Sequence, residues 1–391
     1  MEINKKVMQV QRRVYLDNAA STFLEPTVLE AMLPYFQEWQ GNPSSTHYHG
    51  RIVKNALENA RKTIAELLNA KPSEIFFTSG GTEADNMAIF GCVEQYGIQH
   101  IISSRLEHHA ITHTIEYLSK KGIVQAHWLE NDRLGRLNFT QLEQLLQQYK
   151  NVLVVLMHGN NEIGNLVNLE YLSELCKAYK AFLLSDTVQT VGHYPIDAQK
   201  LGLSFFCGAA HKFHGPKGVG FLYVNQSVKI GSHIHGGSQE RNLRAGTENL
   251  PGIVGMAKAL EIAVQNQEKN YQYIKRLRDY FIDKLKMTIP GVKFNGDVES
   301  SMVSVINVCF PSSEYEDMLL FQLDLQGISA SAGSACTSGS NLGSHVLRAL
   351  GLSESEIKNS VRFSFSRFTT YDELDYALDV LEKMFVKSYH V

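Results

Sequence analysis

Short apolar runs alternate with segments whose apolar residues recur every three or four positions, and this rhythm repeats along most of the chain. Brief runs of Val, Leu and Ile read as strands, and the longer periodic stretches between them read as amphipathic helices. On this pattern Glu74 to Thr78 is a strand and Thr82 to Tyr96 a helix. His100 to Ser103 and His109 to Lys120 form the next pair, and Val152 to Met157 with Asn168 to Tyr179 another. Ala181 to Ser185 is a further buried strand. Strands that are apolar on both faces belong in a mainly parallel sheet covered by helices on both sides. Ile253 to Met287 is helical, charged and long, and reads as the connector leaving this first domain. Beyond it the pattern changes. Met302 to Phe310 and Ser360 to Phe368 alternate as strands, with helices predicted at Glu314 to Leu325 and Asp372 to Phe385. The expected division is a large α/β domain over 24–255 and a small α+β domain built from 1–23 and 256–391, since chain ends often pack together.

A chain of 391 residues is long enough for two domains and a large core. A composition of 44% hydrophobic and 20% charged residues is that of a soluble globular protein. The net charge of -3 gives no reason to expect a nucleic-acid or anionic-membrane partner. Met1 to Arg13 lacks the apolar core of a signal peptide, and the longest apolar run, Val152 to Met157, is too short to span a bilayer. The five cysteines form no CxxC pair, which argues for a reducing cytoplasm rather than a disulfide framework. Cys92, Cys176, Cys207 and Cys309 sit in apolar or helical surroundings and are expected to be small buried hydrophobes.

Ala210-His211-Lys212-Phe213-His214-Gly215-Pro216-Lys217-Gly218 sets a lysine between an apolar segment and a glycine-rich turn. Partial desolvation there favours the neutral amine, which can attack an aldehyde and hold it as a Schiff base. Asp186, at the end of the preceding apolar strand, could pair with a pyridinium nitrogen. An amine and an upstream aspartate are what a pyridoxal-phosphate site needs. Alone, Lys212 would be a surface lysine in a turn and Asp186 a helix cap. Phe77-Thr78-Ser79-Gly80-Gly81-Thr82-Glu83 closes a strand and opens a helix, so its N–H groups could hold a phosphate, or simply begin a capped helix.

His108 follows the strand His100 to Ser103, where ligands bind in open α/β sheets. It could stack on a cofactor ring and shuttle protons, or be a hydrogen-bonded loop histidine. His109 and His113 have metal-ligand spacing, but no acidic or cysteine partner is evident, so metal binding ranks low and no metal is expected. Asn160-Asn161-Glu162 follows the strongest buried strand, with amides suited to a polar ligand, and Gln189 lies one turn after Asp186. Alternation in Ser360 to Arg367 puts Arg362 on a polar strand face, able to clamp a carboxylate or to form a surface ion pair. Ser331-Ala332-Gly333-Ser334-Ala335-Cys336-Thr337-Ser338-Gly339-Ser340 has almost no side chain able to pack, and a thiol in such a loop favours a reactive role.

With these stretches in hand the chain resembles the cysteine desulfurases, pyridoxal-phosphate enzymes of the class V aminotransferase family. The likeness runs from Tyr15-Leu16-Asp17-Asn18-Ala19-Ala20 to about Phe368. It includes Gly41-Asn42-Pro43-Ser44-Ser45, Asn160-Asn161-Glu162-Ile163-Gly164, Ala210-His211-Lys212 and Arg244-Ala245-Gly246-Thr247-Glu248-Asn249. Gly333-Ser334-Ala335-Cys336-Thr337-Ser338 looks like the loop of the long-loop subgroup associated with iron–sulfur cluster assembly and tRNA thiolation. The resemblance implies the fold type I pyridoxal-phosphate transferase architecture and a homodimer. It implies that Lys212 holds the cofactor, Asp186 pairs with its ring nitrogen, and Gln189 donates to its phenolic oxygen. His108 would stack on the ring and act as acid–base, while Gly81, Thr82 and His211, with Thr247 from a neighbouring subunit, would hold the phosphate. Asn161 and Arg362 would bind the carboxylate of L-cysteine. Cys336 would take its sulfur as a persulfide and pass it to an acceptor protein, leaving L-alanine.

Two departures from the resemblance stand out. Ala209 occupies a position where many relatives carry a phosphate-binding serine, and the chain stops at Val391 without the extension some relatives use to dock a scaffold. A selenocysteine lyase or another class V enzyme is the alternative activity. A fold relative that has lost catalysis is a third, opposed by the presence of Lys212, Asp186 and Cys336 together.

Overall fold

The structure, a computed structural model, describes residues 12–313, 315–333 and 343–386. Its centre is a seven-stranded sheet in the spatial order Ile75–Thr78, Gly220–Val224, Phe205–Ala209, Phe182–Asp186, Val152–Val155, His100–Ser104, Gln125–Leu129. All run the same way except Gly220–Val224, which is antiparallel to both its neighbours. The sheet is therefore mainly parallel, as the unbroken apolar strands predict. Val152–Val155, Phe205–Ala209 and Gly220–Val224 are buried at every position, because helices cover both faces.

The predicted elements recur with their ends trimmed. His109–Lys120 forms a helix over the whole predicted range, and Asn168 becomes the cap of Leu169–Ala178 by accepting from the Tyr171 N–H. Ile75–Thr78 loses Glu74 to a short 3₁₀ turn that begins at Pro72. The predicted Ile253 to Met287 connector is two helices, Leu250–Gln265 and Gln267–Thr288, meeting at Asn266. The first packs Ile253, Met256 and Leu260 under the large sheet, and the second packs Leu277, Phe281 and Leu285 in a separate core. The hydrophobic pattern passes over Tyr48–Leu67, a 20-residue helix lying along Leu250–Gln265, and over the antiparallel strand Gly220–Val224. That strand approaches so closely that a Cβ on Gly220 would come within 2.8 Å of the Gly80 Cα.

The second core lies around a three-stranded antiparallel sheet, Ser360–Ser364, Val305–Cys309 and Lys293–Asn295, covered by Gln267–Thr288 and Tyr371–Phe385. Val14–Tyr15 pairs in parallel with Ile328–Ser329 and adds Val14 and Leu16 to this core. The predicted strand Ser360 to Phe368 ends at Ser364, and the helix predicted from Glu314 begins at Leu319, Glu314 itself lying outside the described residues. Cys92, Cys176, Cys207 and Cys309 are buried free thiols, as expected. Among the described residues no helix is long and apolar enough to cross a membrane.

A buried charge pair braces the base of the edge strand. Arg61 and Glu240, both nearly inaccessible, meet in two bonds of 2.7 and 2.8 Å. Arg61 also donates to the Ile75 carbonyl, and Glu240 accepts from the Phe77 N–H. This clamp holds Glu240, Arg241 and Asn242 at φ of 45°, 57° and 67°, a left-handed run costly for residues with a Cβ. Removing one partner strands a buried charge, so Glu240→Ala should destabilise by about 3–5 kcal/mol in a denaturant titration. Glu170→Ala, which breaks the exposed pair with Lys200, should cost under about 1 kcal/mol. Equal losses for the two variants would contradict this account.

Candidate active site

Because the sheet strands share one direction, their carboxyl ends meet at one edge, and a cavity of about 240 Å³ opens there. Gly81, Thr82, His108, Asn161, Asp186, Gln189, His211 and Lys212 line it, together with Arg362 from the small sheet. Ala209 and Asp85 line it too. Residues from near both ends of the chain, Ala19 and Arg362, thus share one space. Thr247 does not join them. It lines a second cavity, about 80 Å³, with Ser79, Glu240 and Arg244. Cys336 lies outside the described residues.

Lys212 ends the 3₁₀ turn after strand Phe205–Ala209, and its Nζ donates to the carbonyls of Ala19 and Ala20 at 2.6 and 2.9 Å. Gln189 also donates to the Ala19 carbonyl, at 2.9 Å, so the segment Asp17-Asn18-Ala19-Ala20 forms one wall. His193 donates from Nε2 to the Lys212 carbonyl and fixes the turn that carries the amine. Asp186 closes its strand, is almost wholly buried, and accepts from the Val188 N–H through Oδ1.

His108 caps the helix His109–Lys120, its Nδ1 accepting from the Ala110 N–H at 3.1 Å. An imidazole nitrogen that accepts from an amide carries no proton, so in the neutral ring the hydrogen is on Nε2. Burial lowers the affinity of His108 for a second proton, and Lys212 and His345 add to the effect against Asp186 and Glu162. His211 is held at about 4 by burial, then by Lys212 and Lys217. Both rings are therefore neutral at neutral pH.

The helix Gly81–Tyr96 points its N-terminus at the same cavity, with Gly80 as its cap at φ 157°, a conformation nearly confined to glycine. Free N–H groups, the Thr82 hydroxyl and a neutral His211 suit a phosphate. The Asp186 carboxylate suits a cationic ring nitrogen, and the Lys212 amine lines the same cavity. This donor set fits pyridoxal phosphate, with Ala209 adding no hydroxyl.

Arg362 lines the cavity while Val361 and Phe363 pack in the small core, as the alternation predicts, and the face it stands on is covered. Arg362 is only 1% exposed, since the strand Ser360–Ser364 is buried on both sides. Its guanidinium donates to Asp17 Oδ1 at 2.7 Å and to the Asn161 carbonyl at 2.8 Å, and its Nε has no partner among the described residues. A surface ion pair is therefore excluded for Arg362. Arg367 pairs with Glu25 in a largely buried setting.

Sequence reasoning missed the acids beneath the cavity. Glu107, bonded to Ser104 Oγ and the Met157 N–H, is raised by burial to about 8. Glu162, adjacent to Asn161, accepts from the Ser344 hydroxyl, and Ser331 exchanges backbone bonds with Arg362, so both flanks of 334–342 are tied to this site. The signal available was position alone: each acid directly precedes or follows a named residue. His109 stacks between His113 and His345, at 4.4 and 4.2 Å between ring centres, with Glu116 lining the same hollow. The three histidines do not converge on a common point. Among the described residues, Asp85, Asp186 and Cys207 instead bring polar side-chain atoms within 4.8 Å of one another.

The family model described as Aminotransferase class-V matches residues 14–377. A cysteine desulfurase IscS of Dictyoglomus turgidum is 44% identical over 380 residues, covering 97% of this chain and 96% of that relative. A solved NifS-like protein superposes with a TM-score of 0.88 at 35% identity, over 97% of this chain and all of the other. The NifS-like protein from Rickettsia africae gives 0.87 at 31% identity, again over 97% of this chain and all of that one.

Neutral buried imidazoles have a measurable consequence. His211 at about 4 and His158, held at about 4 by burial, lie below the unfolded value near 6.5, so unfolding takes up protons. Their contribution to stability is full above about 6.5 and is lost as pH falls towards 4. Thermal unfolding between neutral and acid pH should show this decline, and His211→Asn should flatten it. A slope unchanged in the variant would refute the neutral assignment.

Proposed function

The chain belongs to the class V aminotransferases and is a pyridoxal-phosphate-dependent cysteine desulfurase, and from that premise we propose how its own residues divide the work. What carries the proposal is the convergence of Lys212, His108, Asp186, Asn161 and Arg362 on a single cavity.

Lys212 would hold the cofactor through Nζ, with Asp186 at its ring nitrogen, Gln189 at its phenolic oxygen and His108 against its ring. Gly81, Thr82 and His211 would hold the phosphate. When bound, pyridoxal phosphate supplies an electron sink for bonds broken next to the substrate's amino group. Arg362 and Asn161 orient the carboxylate of L-cysteine, with the buried Asp17–Arg362 pair presetting the guanidinium. Lys212 Nζ takes the proton from the substrate α-carbon, and His108, with its hydrogen on Nε2, moves protons at the substrate face. The Cys336 thiolate attacks the substrate sulfur. A sulfur–sulfur bond forms and the carbon–sulfur bond breaks, its electron pair staying on carbon to be protonated. Cysteine and the Cys336 thiol thereby give alanine and a persulfide.

Thr247 belongs to a different cavity within one chain, which supports a homodimer in which the partner completes the phosphate site. Buried free cysteines support a reducing, cytoplasmic setting. The persulfide would pass to an acceptor protein for iron–sulfur cluster assembly or tRNA thiolation.

Three variants separate the roles. Lys212→Ala should abolish alanine formation. Cys336→Ser should purify with a full cofactor load yet lose sulfur release, and normal release from it would defeat the mechanism. His108→Ala should lower turnover by roughly 10²–10⁴ if the ring transfers protons, whereas a change under tenfold would reduce His108 to a helix cap.

A further inference from the structure

Beneath the cavity three buried polar side chains face one another. Asp85 comes from the first turns of Gly81–Tyr96, while Asp186 and Cys207 are paired across neighbouring strands. Cys207 Sγ lies 3.2 Å from Asp85 Oδ1 and 3.7 Å from Asp186 Oδ1, and the ligand atoms of all three lie within 4.8 Å of one another. Relative exposures are 1% for Asp85, 7% for Asp186 and 0% for Cys207. Asp186 has the Val188 N–H as a further donor, at 2.9 Å. Besides burial, the groups that act on Asp85 among the described residues are Asp186, Cys207 and Glu107. His108 and Lys212 reach the same cavity from the elements above it.

Two carboxylates this close and this dry do not both ionise without a cation for each. The bound cofactor offers one ring nitrogen. We propose that Asp85 is a positioning residue that stays protonated at neutral pH, leaving a single negative charge, on Asp186, to meet that nitrogen. The inference rests on the function proposed above. Burial and the neighbouring Asp186 both push Asp85 well above the usual carboxylate range, and burial likewise keeps the Cys207 thiol protonated. The lone S–H proton serves the nearer acceptor, Asp85, and favours its ionised form, but this pull is smaller than the push from burial and Asp186. A second ionised carboxylate would add an unmatched charge under the ring and change the proton affinity of the bound chromophore.

The test uses the full-length holoenzyme. Asp85→Asn replaces a neutral acid with a neutral isostere. The pH midpoint of the bound cofactor's visible absorption should therefore stay in place, whereas loss of a true carboxylate would move it down by about one unit or more. Thermal unfolding adds a signed readout. A folded value above the unfolded one, near 3.9, means stabilisation that is present below it and lost as pH rises. The melting temperature of Asp85→Asn should gain on the wild type as pH rises from 5 to 8. A flat or shrinking difference, or a shifted absorption midpoint, would overturn the proposal. If the variant does not fold, infrared spectra of wild type labelled with ¹³C-aspartate at pH 7 decide instead. A protonated-carboxyl band is expected, and its absence overturns the idea. Stoichiometric metal on elemental analysis would also overturn it by making the trio a cation site. A protein that binds no cofactor or makes no alanine would refute the function while leaving the infrared band and the melting slope intact.

Discussion

A guanidinium with almost no access to solvent has to be matched by acceptors the fold brings to it, and Arg362 sets that requirement here. Its acceptors come from Asp17 near the start of the chain and from the Asn161 carbonyl at the end of a central strand. Its backbone pairs with Ser331. One side chain thereby ties the small sheet to the large one at the cavity. Without that match the strand Ser360–Ser364 would bury an unpaired charge, a defect costing several kcal/mol. The position of the substrate-facing arginine and the joining of the two cores are consequences of the same contact.

The cavity is electrostatically divided. The helix N-terminus at Gly81 and the neutral His211 suit an anion without competing protonation. Buried acids occupy the floor, where only a cation or a proton can balance them. Lys212 lines the same cavity, held by the Ala19 and Ala20 carbonyls. The walls are made by backbone as much as by side chains, so the segment Asp17 to Ala20 matters through its carbonyls.

Much of the architecture was legible along the chain. Buried strands announced themselves by unbroken Val, Leu and Ile, and the helix His109–Lys120 by its period. Tyr48–Leu67 was passed over although it buries Val53, Leu57, Ile64 and Ala65, because many polar residues and His47 as cap obscure its stripe. Gly220–Val224 was passed over because direction within a sheet is not a property of a short apolar run. At the site, Lys212, Asp186, Gln189 and His108 could be singled out because each follows a strand, and the ends of parallel strands share one edge.

The amino-acid order alone determined the alternation of strand and helix, the chemistry available at each turn, and the family resemblance, since these depend on neighbours a few positions apart. Tertiary structure decided which of those groups are dry. Arg362 reads as standing on a polar strand face and is buried there, because Asp17 and the Asn161 carbonyl close over it. Cys207 looked like filler and touches two acids, because adjacent strands align it with Asp186. Thr247 was assigned by resemblance to a neighbouring subunit's phosphate site, and within one chain it lines a different cavity. Burial and charge pairing are set by residues hundreds of positions away, and no local period encodes them.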